Sequence, residues 1–226
     1  MAFGAHDPAL LAQFWAALLG RAVVEDSRGL LLPPTDETQL GLRFVPSDVN
    51  KAGPNRMHIH LTSGSLASQQ DTVAHALGLG AHHLDVGQRP EEEHVVLADP
   101  EANEFCVIEP GNSYLAGCGF LGELACEGTR DVGVFWSAAL RWPLVWDQDE
   151  ETAVQSPAGG TKVAWGGPPF AEVLTNRQQF ELGVDGDLTG EVERLIALGA
   201  SPRGGAEDGV VVLADPDGFE FRVLAR

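Results

Sequence analysis

The sequence predicts an α+β protein assembled from four copies of one small unit: a strand, a helix, then three strands. Three observations carry that prediction. The chain repeats itself, each half reads in the same element order twice, and the composition is that of an ordinary globular protein. Of 226 residues, 44% are hydrophobic and 21% charged. Such fractions exclude intrinsic disorder as the main state, and the length allows a sizeable core without disulfide staples.

The repeat is explicit. Phe14-Trp15-Ala16-Ala17-Leu18-Leu19 returns as Phe135-Trp136-Ser137-Ala138-Ala139-Leu140, and Asn55-Arg56 as Asn176-Arg177. Gly80-Ala81 returns as Gly199-Ala200. Val95-Val96-Leu97-Ala98-Asp99-Pro100 recurs letter for letter as residues 211–216, and Glu104-Phe105 as Glu220-Phe221. A fixed order of matches with a slowly shortening offset means two homologous copies with loop deletions in the second. The copies are placed at residues 1–110 and 116–226, joined near Gly111-Asn112-Ser113.

Each half then reads element by element. Asp7-Pro8 opens a helix, with Asp7 as N-cap and proline in the first turn. Leu10, Leu11, Phe14, Trp15, Leu18 and Leu19 follow at helical spacing. Short strands are expected at Ala22–Asp26, Leu30–Leu32 and Gln39–Val45. Met57–Leu61 alternates as a half-buried strand, and Ser65 caps a second helix running to about Leu79. Strands near His83–Val86, His94–Ala98 and Glu104–Ile108 complete the half, the last two joined by the turn Asp99-Pro100-Glu101-Ala102-Asn103. The strand before Asp7 is expected to be short or absent, since only Met1–His6 is left for it. Its counterpart in the second half is Gly122–Cys126.

Charge and cysteine usage narrow the function. Lys plus Arg number 14 against 33 Asp plus Glu, a net charge of −19. No run of Lys or Arg interrupts the acidic background, so no nucleic-acid partner is expected. Cys106, Cys118 and Cys126 have no paired spacing, which argues against a disulfide scaffold or zinc ribbon and fits a reducing cytoplasm. The start lacks a basic and apolar leader, and no apolar stretch is long enough for a membrane span. Phosphate-loop, dinucleotide, nucleophile-elbow and HExxH motifs are absent.

The Phe-Trp helix, the Asn-Arg-x-His strand and the closing Asp-Pro-x-x-x-Glu-Phe hairpin resemble the vicinal oxygen chelate superfamily, which includes glyoxalases, extradiol dioxygenases and bleomycin-resistance proteins. The match is to a glyoxalase-like domain in two tandem copies. The resemblance implies four βαβββ units forming two cupped mixed sheets around clefts. It also implies a monomer with an internal pseudo-dimer, or a homodimer. In catalytic members of the superfamily, His or Gln on the first strand of a unit and Glu on the last hold a divalent metal.

Carried over one residue at a time, that pattern falls on His58, with His60 on the same face of the strand and Cys106 at the closing glutamate position. These three are the candidate metal donors, for zinc, nickel, manganese or iron. Arg43 occupies the equivalent place in the first unit. In the second half the matching positions hold Gln179, Glu181 and Arg222, a poorer metal set. All seven histidines lie in the first half, so one half is expected to have kept a site while the other became scaffold. Cys106, between Phe105 and Val107, reads as a cleft wall. A Cys–His pair with His58 lacks an evident third group to orient it. Trp15 and Trp136 are expected to pack helices onto sheets. Trp142 and Trp146, an even number apart, are expected to share a face, with Phe170 nearby, either lining an aromatic cleft or packing in the core. Arg43, Trp142, Trp146, Gln179, Glu181 and Arg222 are therefore the candidate ligand-binding residues. Two functions are implied. One is binding of a small, planar or cationic molecule in a cleft with no complete metal triad. The other is a metal-dependent lyase or dioxygenase anchored by His58.

Overall fold

In the computed structural model, residues 1–89, 91–167, 177–204 and 209–225 are described. Asn176 and Phe170 lie outside them. The first unit comprises β1 (Ala2–Ala5), α1 (Pro8–Leu19), β2 (Val24–Asp26), β3 (Gly29–Leu32) and β4 (Leu42–Pro46). The second comprises β5 (Met57–Leu61), α2 (Leu66–Gly78), β6 (His82–His83), β7 (Val95–Ala98) and β8 (Glu104–Val107). The third comprises β9 (Leu121–Glu127), α3 (Arg130–Leu140), β10 (Leu144–Gln148), β11 (Glu151–Gln155) and β12 (Lys162–Gly166). The fourth comprises β13 (Gln178–Val184), α4 (Leu188–Ala197), β14 (Ser201–Pro202), β15 (Val210–Ala214) and β16 (Glu220–Ala225). The first strand is present and short, as expected: Ala2–Ala5 forms β1, held in parallel to β4 and antiparallel to β13.

The capping chemistry is as the sequence implies. The Asp7 carboxylate accepts the Leu10 N–H at 3.0 Å, and Ser65 accepts the Ser68 N–H at 3.1 Å. Each bond satisfies an otherwise orphaned helix-start donor and contributes about 1 kcal/mol. Helix α3 lies so close to β11 that a Cβ on Gly133 would sit 1.8 Å from Thr152 Oγ1. A side chain at Gly133 would push that helix off its sheet.

The two repeated motifs meet in space, which explains why both recur. Trp15 and Trp136 are each 1% exposed. Trp15 donates its indole N–H to Asp99 at 3.1 Å, and Trp136 to Asp215 at 3.4 Å. Each Phe-Trp helix is thereby tied to the Asp-Pro turn of its own half. Truncating either tryptophan to alanine is worth roughly 3–5 kcal/mol.

The sheets are not built half by half. One runs β14-β15-β16-β13-β1-β4-β3-β2, the other β10-β11-β12-β9-β5-β8-β7-β6. Each therefore joins one unit from each half, through the antiparallel pairs β1·β13 and β5·β9. This is the arrangement of an internal pseudo-dimer. Among the described residues no helix is long and apolar enough to cross a membrane.

Candidate functional site

The site is set by the alternation of β5. Met57, Ile59 and Leu61 are buried on the helix side, each worth about 1.5–3 kcal/mol of apolar burial. His58 and His60 must then face the opposite, concave side. Strand register lines up their neighbours. Cys106 on β8 pairs with His60, His60 with Glu123 on β9, and Glu123 with Lys162 on β12. One row across the sheet thus carries a thiol, an imidazole, a carboxylate and an ammonium. The adjacent row runs His58, Ala125, Ala164. Two alanines there leave the floor low.

Hydrogen bonds chain the first row together. His60 Nδ1 lies 2.7 Å from Glu123 Oε2, and Tyr114 donates its hydroxyl to Glu123 Oε1 at 2.9 Å. The Lys162 ammonium donates to the Tyr114 carbonyl and stands 4.2 Å from the centre of the Tyr114 ring. Trp146 meets Tyr114 edge to face at 5.5 Å. The donor atoms of His58, His60 and Cys106 all lie within 4.8 Å of one another.

The two histidines are pushed in opposite directions. Burial, reinforced by the charge of His60, lowers His58 to about 4, so it is neutral. Burial also opposes the charged form of His60, but hydrogen bonding to Cys106 and Glu123 outweighs it and raises His60 to about 9. Burial would raise Glu123 too, yet its bond to His60 holds it below the usual range. His60 and Glu123 therefore form a buried ion pair beside a neutral His58. Burial also raises Glu127, whose Oε2 is buried without a hydrogen-bond partner.

Two cavities flank the histidines. One, of about 330 Å³, is walled by Tyr114, Trp146, Glu123 and Glu151 over the alanine floor. The other, of about 380 Å³, is walled by Val86, Val96, Ile108, His94 and Cys106. His58, His60 and Glu127 border both. The cleft is one groove with an aromatic, acidic lobe and a more apolar lobe, meeting at the imidazoles.

Of the sequence-derived candidates, His58, His60, Cys106 and Trp146 come together here. Trp142 does not, which corrects the shared-face expectation. It precedes β10 and packs against the main core, and the β10·β11 pairing shifts register between Leu144 and Trp146. Arg43, Gln179, Glu181 and Arg222 belong to the other sheet. Arg43 is 3% exposed and pinned by Asp26 through bonds of 2.6 and 2.7 Å, with Glu181 at 3.3 Å. Its guanidinium is committed to the protein itself. The cleft draws on both halves, since Glu123, Lys162 and Trp146 come from the second.

Sequence reasoning missed Glu123, Tyr114 and Lys162. Glu123 sits inside the expected Gly122–Cys126 strand, and the signal available was that a first strand should supply a ligand-position residue. Tyr114, the chain's single tyrosine, lies in the joining segment and gave no signal.

The model of the glyoxalase-like domain matches residues 1–108 and 123–224. The chain belongs to the glyoxalase-like domain family. Glyoxalase I from Zea mays is 12% identical over 99% of this chain and 90% of that one, with a TM-score of 0.69. A putative dioxygenase from Bacillus subtilis is 11% identical over 100% of this chain and 83% of that one, with a TM-score of 0.59. At these identities the likeness is one of fold. No curated protein matches.

This superfamily is typically metal-dependent, and a divalent ion would need free donors in the row. Both Glu123 oxygens are already bonded, by His60 and Tyr114. Lys162 adds a positive charge to the row. Hard divalent ions want free carboxylates, and any ligating imidazole must be neutral. The row as built does not fit a resident divalent cation.

Proposed function

We propose that the glyoxalase-like chain binds a small molecule in the two-lobed cleft of the β5·β9 sheet, without a complete metal triad. The observation that carries this reading is the pair of cavities meeting at His58 and His60 over the Ala125–Ala164 floor. Trp146 and Tyr114 offer aromatic faces in an acidic lobe, which suits a planar or cationic group through stacking and cation–π contact. The His60–Glu123 pair offers a fixed donor and acceptor to a polar end. Glu127, with an unsatisfied oxygen at the junction, takes a donor from the bound molecule. The copies 1–110 and 116–226 act together, since each contributes one side of the cleft.

The test has two arms. Calorimetric titration with N-methylquinolinium is expected to give one site per chain, weakened at least about tenfold in Trp146→Ala, a loss of about 1.4 kcal/mol. Elemental analysis of protein purified without chelator, then incubated with zinc, nickel, manganese or ferrous iron, is expected to show no stoichiometric metal. A second reading, a metal-dependent lyase or dioxygenase anchored by His58, rests on the 4.8 Å grouping of His58, His60 and Cys106. Stoichiometric metal that is lost in His58→Ala would replace the first reading with that one.

A further inference from the structure

The row Cys106–His60–Glu123 has a second property. Its three groups stand in the order that nucleophilic catalysis requires: a thiol beside an imidazole, and a carboxylate on the far ring nitrogen. Glu123 holds His60 Nδ1 at 2.7 Å, which leaves Nε2 for the thiol. Tyr114 holds the other Glu123 oxygen at 2.9 Å, so the carboxylate has little freedom to rotate. Cys106 is 6% exposed to bulk water, yet it lines the wall of the apolar lobe. Cys118, outside the strands, and Cys126, whose rung partners are Met57 and Trp165, are also buried.

We propose that Cys106 is a catalytic nucleophile, with His60 holding its proton and Glu123 as the positioning residue, acting on an ester or thioester with a short apolar acyl chain. This rests on the cleft being a small-molecule site. The two lobes accommodate the two ends of such a compound. Val86, Val96 and Ile108 receive the acyl chain, Trp146 and Tyr114 receive a planar leaving group, and the carbonyl lies at the junction. In the first step Cys106 attacks as the thiolate, its proton held by His60 at Nε2. The Sγ–C bond forms and the bond from carbon to the leaving oxygen or sulfur breaks. The leaving group departs with that proton, leaving His60 neutral. In the second step water gives a proton to His60 and attacks the thioester. The acid is released, and the thiolate is restored beside the protonated His60. No redox partner is needed, and water is the only co-reactant.

The experiment uses p-nitrophenyl butyrate on the full chain, with mass spectrometry of the product. The expected result is a burst of one p-nitrophenolate per chain and a butyryl group on Cys106. The adduct disappears in Cys106→Ser. His60→Gln slows acylation about a hundredfold. Glu123→Gln slows it at least about tenfold and shifts the pH profile of acylation, since His60 loses the carboxylate that favours its charged form. A shifted pH profile is not what a merely structural carboxylate gives. Should Glu123→Gln melt early, Glu123→Asp is expected to restore part of the rate. Acylation absent, or spread equally over Cys106, Cys118 and Cys126, with N-methylquinolinium still bound, would overturn the nucleophile and leave the cleft reading standing. Loss of both binding and acylation would overturn both.

Discussion

The two sheets place different residues on the same rungs. In the β5·β9 sheet, His58 pairs with Ala125 and Ala125 with Ala164. In the β1·β13 sheet the same rung reads Gln179, Ala2, Arg43. Beside it, His60 with Cys106 is matched by Glu181 with Arg222. An alanine at position 164 leaves a floor on which a ligand can rest. An arginine at position 43 reaches across it and is held by Asp26 and Glu181. The backbone frame was duplicated. One copy kept space and an ordered polar row, and the other spent its polar groups on one another.

Breaking the closed side should have the largest effect. Arg43→Ala removes the cation that Asp26 and Glu181 share. Breaking one partner of a buried pair costs 3–5 kcal/mol, and Asp26 is 37% exposed, so about 3 kcal/mol is expected. Urea unfolding would show it as a lower midpoint at unchanged slope. A loss below about 1 kcal/mol would mean that the ion-pair network is surface decoration.

The Asp-Pro turns sharpen the comparison between the repeats. Asp99 accepts from Trp15, the backbone of Glu101, and both the backbone and side chain of Asn103. Asp215 has Phe219 where Asp99 has Asn103, and so loses the side-chain donor. Burial is the main force on Asp215, raising it from 3.8 to about 6, with Asp217 adding repulsion. A carboxyl whose folded value is raised stabilises the fold fully below its unfolded value near 4. That contribution falls as pH rises towards 6 and is flat above. A shift of this size is worth roughly 3 kcal/mol. Stability measured near pH 4 and pH 7 should fall by that order in the native chain relative to Asp215→Asn. Parallel curves for the two proteins would show that Asp215 is ionised throughout.

Much of this fold was legible because repeated motifs are also repeated contacts. Phe14-Trp15 and Asp99-Pro100 recur because the indole of one binds the carboxylate of the other, so a text match reports a structural bond. The alternation of Met57–Leu61 likewise put both imidazoles on the concave face. What stayed hidden was which strands are neighbours across the repeat. Within one half, the partner of His60 is Cys106, and a carboxylate is missing. The β5·β9 pairing brings Glu123 from the other half, a contact that no local pattern encodes. Trp142 and Trp146 misled for the opposite reason. Even spacing fixes a shared face only along a regular strand, and the irregular pairing before Trp146 breaks that rule.

The open row makes a spectroscopic claim. His58 and His60 have ring centres 4.8 Å apart, yet they should titrate near 4 and near 9. In Glu123→Gln, His60 should fall toward or below the ordinary histidine value of about 6.5, since its favourable partner is gone and burial remains. The stabilisation from the His60–Glu123 pair is complete between about 4.5 and 6.5, is lost as pH rises through 9, and is lost on the acid side as Glu123 takes a proton. Proton NMR of the imidazole resonances would follow both groups. Coincident titrations near 6.5 would show that the row is solvated and not an ordered chain.

The smallest effect on stability should come from the rim. Trp146 is 36% exposed and touches Tyr114 edge to face. An aromatic pair of that kind is worth about 0.5–1.5 kcal/mol beyond area burial, less at an exposed edge. Trp146→Ala should therefore move the unfolding midpoint by little, on the order of 1 kcal/mol, while removing most of the affinity for a planar ligand. Trp15→Ala makes the control. It lies on α1, 1% exposed, with its ring 5.2 Å from that of Phe105 and its indole N–H on Asp99. It should cost roughly 3–5 kcal/mol of stability, with ligand affinity little changed in the folded fraction. If both variants lost stability and affinity together, the division of aromatic residues between a packing face and a binding face would be wrong.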